Sequence, residues 1–191
     1  MTESDVALIY QEKNMDNEEE KLIFATRKDP KVFGDLYQLY VEKVFRYLYS
    51  MTRNVQEAED ITTQTFMKAF ESFASFRMDG HFASWLFKIA HNKAMDHFRK
   101  RKNTVVLDET YSAEMKSNTI NEVIQVEQVA ILSNLLETLN DEERELLRLR
   151  FLAELKFSEI ANFLGASEVT IKKKIYRLLE RLQNQVEDSD E

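Results

Sequence analysis

Cations interleaved with aromatic, amide and hydroxyl side chains recur in two separate stretches of this sequence. The first holds Phe76, Arg77, Phe82, Trp85, Lys88, Asn92, Lys93, Arg99 and Lys100; the second holds Thr170, Lys172, Lys173, Lys174, Tyr176 and Arg177. Lysine and arginine hold phosphate, an aromatic face stacks on an unpaired base, and amide or guanidinium groups hydrogen-bond base edges. Such sets suit a nucleic-acid surface. The other chemistry within reach is metal-assisted or acid–base catalysis, for which His91, Asp96 and His97 form the nearest cluster. Spacings of five and six do not place these on one helical face, as a zinc-binding pair four apart would be. There is no cysteine, which excludes disulfides and thiolate zinc sites. Without a glycine-rich phosphate loop or a nucleophile motif, the expectation is a protein that is not an enzyme and uses neither metal nor cofactor.

The elements that must position these residues are helices. Only three glycines (Gly34, Gly80, Gly165) and one proline (Pro30) occur in 191 residues, too few turn-formers for a chain of hairpins, so the expected fold is all-α. Asp29-Pro30 offers an N-cap followed by proline at a first helical position. Val32, Phe33, Leu36, Tyr37, Tyr40, Val44, Tyr47 and Leu48 follow at helical spacing and predict a long buried helix. A second starts near Asn54, with Ile61, Thr65, Phe66, Ala69, Phe70 and Phe73 on one side, and ends in a short loop containing Gly80. A third runs from about Phe82 to Lys102 with Leu86, Ile89, Ala90, Ala94 and Phe98 inward. Its last turn, Arg99-Lys100-Arg101-Lys102, sets cations against the negative end of the helix dipole. A polar stretch from about Asn103 to Asn118 reads as a linker. From near Thr119, leucines at 135, 136, 139, 146, 147 and 149 mark a second helical block.

Formal net charge is −8, which taken alone argues against DNA binding, but the average hides segregation. Residues 1–20 carry one base and seven acids, 104–145 two bases and ten acids, and 187–191 four acids, which leaves the remainder of the chain at +10. The basic parts are those with a helical period. The acidic first twenty residues lack a sustained one and are expected to be a flexible arm. The N-terminus is acidic and polar, and no apolar run approaches the roughly 20 residues that cross a bilayer, so a soluble cytoplasmic protein without membrane insertion is expected.

Residues 155–182 contain two helix starts separated by a glycine. Ser158 can cap the first helix, Gly165 can take the left-handed conformation that ends it, and Ser167 can cap the second. Ile160, Ala161 and Leu164 point inward from the first, and Ile171, Ile175, Leu178 and Leu182 from the second. That leaves Thr170, Lys172, Lys173, Lys174, Tyr176 and Arg177 toward solvent or DNA, the layout of a helix-turn-helix with its recognition helix. Three consecutive lysines cannot all face one groove.

Together these segments resemble the sigma-70 family, and its short extracytoplasmic-function members most closely, over about Asn17 to Gln185. Residues 58–70 are similar to the segment with which the family grips the clamp helices of core RNA polymerase. Phe76-Arg77, residues 85–92 and residues 96–101 look like the part that handles the minus-ten element. Leu135 to Leu182 looks like the region that reads the minus-thirty-five element. Two positions depart from the family pattern: Asn140 stands where proline is usual and Val169 where glycine is frequent.

The resemblance implies two helical domains joined by a linker. Sigma region 2 would span 21–103, an acidic, partly helical linker 104–130, and region 4 131–185, flanked by the acidic arm 1–20 and an acidic tail 186–191. It implies core-polymerase contacts from Asp60, Ile61, Gln64, Thr65, Phe66 and Lys68, the first aromatic–basic set on the minus-ten element, and the second set on the minus-thirty-five element. Implied partners are core polymerase, through its clamp helices and flap, promoter DNA and an anti-sigma factor, with a free protein that is monomeric. Phe82 and Trp85 fit plain core as well as base stacking. Two other readings stand beside this one: a stand-alone helix-turn-helix regulator, which leaves the first aromatic–basic set unused, and a helical interaction protein, which leaves the +10 balance unexplained.

Overall fold

The computed structural model describes residues 18–77, 81–104 and 138–187, and among these every regular element is helical. The Gly80 loop, the linker, the start of the second helical block with Leu135 and Leu136, residues 1–17 of the arm and residues 188–191 of the tail lie outside the described residues. The chain divides after Met95 into two compact units.

The first unit opens on a helix that the sequence pattern does not announce, α1 over residues 18–28, so its first turn lies within the acidic arm. Ile23 and Thr26 are its buried positions. Tyr40 donates its hydroxyl to Glu19 at 2.7 Å, and Arg27 donates to the carbonyls of Ala74 and Phe76 at 3.2 and 3.4 Å. These bonds tie α1 to elements far along the chain.

Asp29 caps the backbone N–H of Lys31, and Pro30 starts a 3₁₀ turn, Pro30–Val32, that runs directly into α2, Phe33–Thr52. Phe33, Leu36, Tyr40, Val44, Tyr47 and Leu48 are buried as their spacing predicts, whereas Tyr37 stays 39% exposed with its ring edge-on to Phe66. Each fully buried apolar side chain contributes about 1.5–3 kcal/mol. No glycine ends α2; Arg53 itself adopts the left-handed conformation (φ 52°) and its N–H returns to the Tyr49 carbonyl at 2.8 Å. Asn54 then caps α3, Val55–Ser72, by accepting from the Glu57 N–H at 3.1 Å.

A 3₁₀ turn, Phe73–Ser75, closes α3, and α4 runs Phe82–Thr104. Phe73, Phe76, Phe82 and Trp85 form one aromatic cluster with ring centroids 5.0–6.5 Å apart, and Tyr40 approaches Phe82 edge-on at 5.5 Å.

In the second unit α5, Asp141–Leu147, begins with a reciprocal cap: Asn140 accepts from the Glu143 N–H at 2.9 Å, and Glu143 accepts from the Asn140 N–H at 3.1 Å. Asparagine at the position where the resemblance leads one to expect proline thus has its own capping role. A widened π turn, Arg148–Leu152, follows α5. It leads through Glu154, in the left-handed region at φ 56°, to α6, Phe157–Leu164, and then α7, Glu168–Glu187. Among the described residues, Leu139, Leu146, Leu149, Ala153, Leu155, Ile160, Ala161, Ile171, Ile175 and Leu178 are this unit's buried apolar side chains.

Ser158 does not cap α6. The helix starts earlier, because the Glu159 carboxylate accepts from the Lys156 N–H at 2.7 Å, and Ser158 is left exposed inside the first turn. Gly165 does terminate α6 at φ 67°, and Ser167 accepts from the Thr170 N–H at 3.2 Å at the start of α7. Leu164, expected inward, is 37% exposed.

Glu143 also links α5 to α7 through Arg181 at 2.9 Å. That hydrogen bond, reinforced by the Asn140 N–H, holds the Glu143 carboxyl below the ordinary carboxylate range. A depressed folded-state pKa contributes stability that is present above the unfolded value, about 4.3, and is lost as pH falls through the folded value. Glu143→Gln is therefore expected to weaken this unit at neutral pH and to flatten its stability profile in acid. Asn140→Ala should cost about 1 kcal/mol. Thermal unfolding followed by circular dichroism across pH checks both.

Candidate nucleic-acid interface

On α4 a rotation of about 100° per residue gathers Trp85, Lys88, Asn92 and Arg99 onto one face, opposite the buried Ala83, Ala90 and Ala94. Lys88, Asn92 and Arg99 are exposed and Trp85 is half-buried. Arg99 is held on this face by Asp96 at 2.7 Å. Lys100 is exposed and Lys93 half-buried, both about 100° further round the helix, so the structure does not bring them onto the same stripe. Arg77 is exposed just before residue 78.

Two expected members of this set are buried in the core. Phe76 and Phe82 are only 5% and 1% exposed, packed edge-on at 5.5 Å within the aromatic cluster, so neither ring offers a face to a base. They are the wall behind Trp85, whose ring lies 5.0 and 5.6 Å from them and keeps one side toward solvent. Arg27, from α1, steadies the Ala74 and Phe76 carbonyls at the edge of this wall, a contribution sequence periodicity has no means of revealing.

The residues of α3 assigned to polymerase divide between core and surface. Ile61, Thr65 and Phe66 are buried in their own unit, and Thr65 turns its hydroxyl back to the Ile61 carbonyl at 2.7 Å. Asp60, Gln64 and Lys68 are exposed, with Lys68 near Glu71 at 3.9 Å. The apolar side chains they flank are Met67 and Phe70, 60% and 51% exposed, and Phe70 also meets the edge of Phe33 at 5.2 Å. Helical spacing names Met67 as outward-facing, which is the signal that finds it.

On α7 all six expected residues are exposed, but their neighbours divide them. Lys172 pairs with Glu168 at 2.7 Å, which holds its ammonium above the ordinary lysine range, and it lies 5.6 Å from the Phe157 ring. Tyr176 packs against the same ring at 5.9 Å. Lys174 is bonded to Glu142 of α5, one helical flank away from the centre. Among the described residues Lys173 and Arg177 carry no ion pair, and both sit near the middle of the face opposite Ile171, Ile175 and Leu178.

His91, Asp96 and His97, the residues of the catalytic alternative, each have a different neighbour. Tyr47 hydrogen-bonds the inward His91 Nδ1 at 2.9 Å, Asp96 serves Arg99, and the His97 ring lies edge-on to Phe98. Among the described residues no three histidine or acidic side chains converge as metal ligands. No described helix is long and apolar enough to cross a membrane.

A helical chain with a helix-turn-helix in one unit and an aromatic–basic helix face in the other is, as a class, a transcription protein of the DNA-binding kind. Comparison with known families narrows this. The Sigma-70 region 2 description matches residues 36–104 and the Sigma-70, region 4 description residues 135–184. The extracytoplasmic-function (ECF) RNA polymerase sigma factor SigW of Bacillus subtilis is 32% identical over 171 residues, 84% of this chain and 91% of SigW. SigM of the same organism, also named an ECF RNA polymerase sigma factor, is 32% identical over 150 residues, 78% of this chain and 91% of SigM. In fold, the chain is similar to the sigma factor RpoE of Bartonella quintana, solved with the anti-sigma factor NepR, with a TM-score of 0.61 at 24% identity over 82% of this chain and 98% of that one. The chain belongs to the sigma-70 family and is an ECF RNA polymerase sigma factor.

Proposed function

We propose that each unit carries one half of promoter engagement. The exposed face of α3, with Asp60, Gln64, Met67, Lys68 and Phe70, binds the clamp helices of core polymerase. The α4 stripe of Trp85, Lys88, Asn92 and Arg99, with Arg77, holds the melted minus-ten element. Lys173, Arg177 and Tyr176 of α7 enter the major groove of the minus-thirty-five element, and the same unit docks on the polymerase flap. Region 2 extends to about residue 103 and region 4 begins near 131, with the acidic linker between them. The free protein is monomeric, acts in the bacterial cytoplasm at the nucleoid, and is held in check by an anti-sigma factor, as the complex of its RpoE relative suggests.

The observation that supports this reading best is the contrast between the two exposed faces. Opening DNA costs about 1.4 kcal/mol of stacking per step, and an unpaired base stacked on an aromatic ring recovers roughly 1–3 kcal/mol. The exposed side of Trp85 beside Asn92 and cations suits unstacked bases. The α7 face sets Lys173 and Arg177 beside Tyr176, whose ring is already packed against Phe157 at 5.9 Å, and suits an intact groove. A few captured bases nucleate a bubble and do not sustain it, so the polymerase partner is physically required.

In vitro transcription with core polymerase on genomic templates tests the proposal: start sites are expected only when this chain is added. If initiation is unchanged by its addition, the proposal fails. Charge partners predict a finer result. Lys173→Ala should lower the slope of log affinity against log salt by about 1, the release of one phosphate contact. Lys174→Ala should lower it by much less, because Glu142 already holds that ammonium.

A further inference from the structure

Val169 is 76% exposed, more than any other large apolar side chain among the described residues. An isolated exposed valine is ordinary on a protein surface. This one occupies the first turn of α7. Its register is what separates it from the ordinary case. At 100° per residue Val169 falls on the same side as Lys173 and Tyr176, four and seven residues on, and opposite the buried Ile171, Ile175 and Leu178. Lys173 and Arg177 supply cations to that face, while the adjacent acid, Glu168, is turned aside by its pairing with Lys172 at 2.7 Å.

A recognition helix contacts base edges chiefly with its N-terminal residues. The apolar group on a major-groove edge is the thymine methyl, which takes aliphatic contacts. Val169 and Tyr176 are separated by about 10.5 Å along the helix axis, and cations lie between them in sequence. We propose that Val169 is a specificity-determining residue of α7 that selects a thymine in the upstream promoter element through contact with its methyl group. This rests on the assignment of α7 to the groove and adds a residue and a base to it.

The test uses holoenzyme reconstituted from core polymerase and the full chain. It selects duplexes from a pool randomised across the upstream element and copied with either thymine or uracil, which differ only by the methyl. The wild type is expected to favour thymine at one position by about 4-fold over uracil, the worth of one buried methyl-sized group. Val169→Ser, which removes both methyls, should select equally from the two pools at that position. Val169→Thr, which keeps one, should retain part of the preference. The proposal is overturned if the wild type treats the two pools alike, or if Val169→Ser keeps the full preference. Arg177→Ala separates this from the assignment beneath it. If that variant loses selection elsewhere in the element while Val169→Ser behaves as wild type, only the Val169 proposal fails. If Arg177→Ala also selects like the wild type, the α7 assignment fails with it.

Discussion

Phe82→Ala is expected to destabilise the first unit by about 3–5 kcal/mol, because the ring is buried and its removal leaves a cavity that the surrounding helices fill only in part. Against a domain stability of about 5–15 kcal/mol, that loss leaves a substantial fraction unfolded in warm or mildly denaturing solution. Tyr40, Phe73, Phe76 and Trp85 all contact this ring within 6.2 Å, so the cluster loosens as a whole. Trp85 is the sole tryptophan of the chain, and its emission reports the cluster directly during urea unfolding. Trp85→Ala is expected to differ in kind: a smaller stability loss followed by circular dichroism, with a fall of about 10-fold or more in promoter opening measured by permanganate reactivity of unpaired thymines. The reverse pattern, a stable Phe82→Ala protein that cannot open promoters, would show that Phe82 leaves the core to hold a base.

That division between wall and exposed ring was only partly legible in the sequence. Helix starts and stops were readable where a side chain acts on its own neighbours: Asp29, Asn54 and Ser167 cap within three residues, and Gly165 supplies a left-handed stop. Apolar stripes were readable for the same local reason. What escaped depends on contacts distant in sequence. Helix α1 has a polar start, Glu18-Glu19-Glu20-Lys21, and few buried positions; its order comes from Tyr40, Ala74 and Phe76. Lys174 is likewise set apart by Glu142, 32 residues away in sequence, which helical register alone does not show.

On α3 a family motif names a segment, whereas the helical period decides which of its residues face outward. Ile61, Thr65 and Phe66 match the motif, yet they form the inward stripe. The same logic demotes Phe76 and Phe82 and leaves Trp85 on the exposed side. Exposure is therefore the better guide to a contact residue within a recognised segment.

Met67→Asp is expected to weaken binding to core polymerase by about 30- to 1,000-fold while leaving the fold intact. The side chain is 60% exposed, and substitutions at exposed positions usually change stability by no more than about 0.5 kcal/mol. An apolar anchor at the centre of a desolvated interface is worth roughly 2–4 kcal/mol, and a buried carboxylate without a partner adds a further penalty. Met67 lies beside Asp60, Gln64 and Glu71 on the outward face, with these polar side chains along one edge and Phe70 along the other. Phe70→Ala should give a smaller binding loss mixed with some destabilisation, since its ring also leans on Phe33. Ile61→Ala serves as the contrast: it should fail by unfolding, with a cost of about 2–5 kcal/mol at a buried site. Fluorescence titration of labelled protein with core polymerase, beside circular dichroism of each variant, separates the two kinds of failure. If Met67→Asp titrates like the wild type, the outward face of α3 is not the polymerase contact. The loss of function in the Ile61 variant would then reflect stability alone.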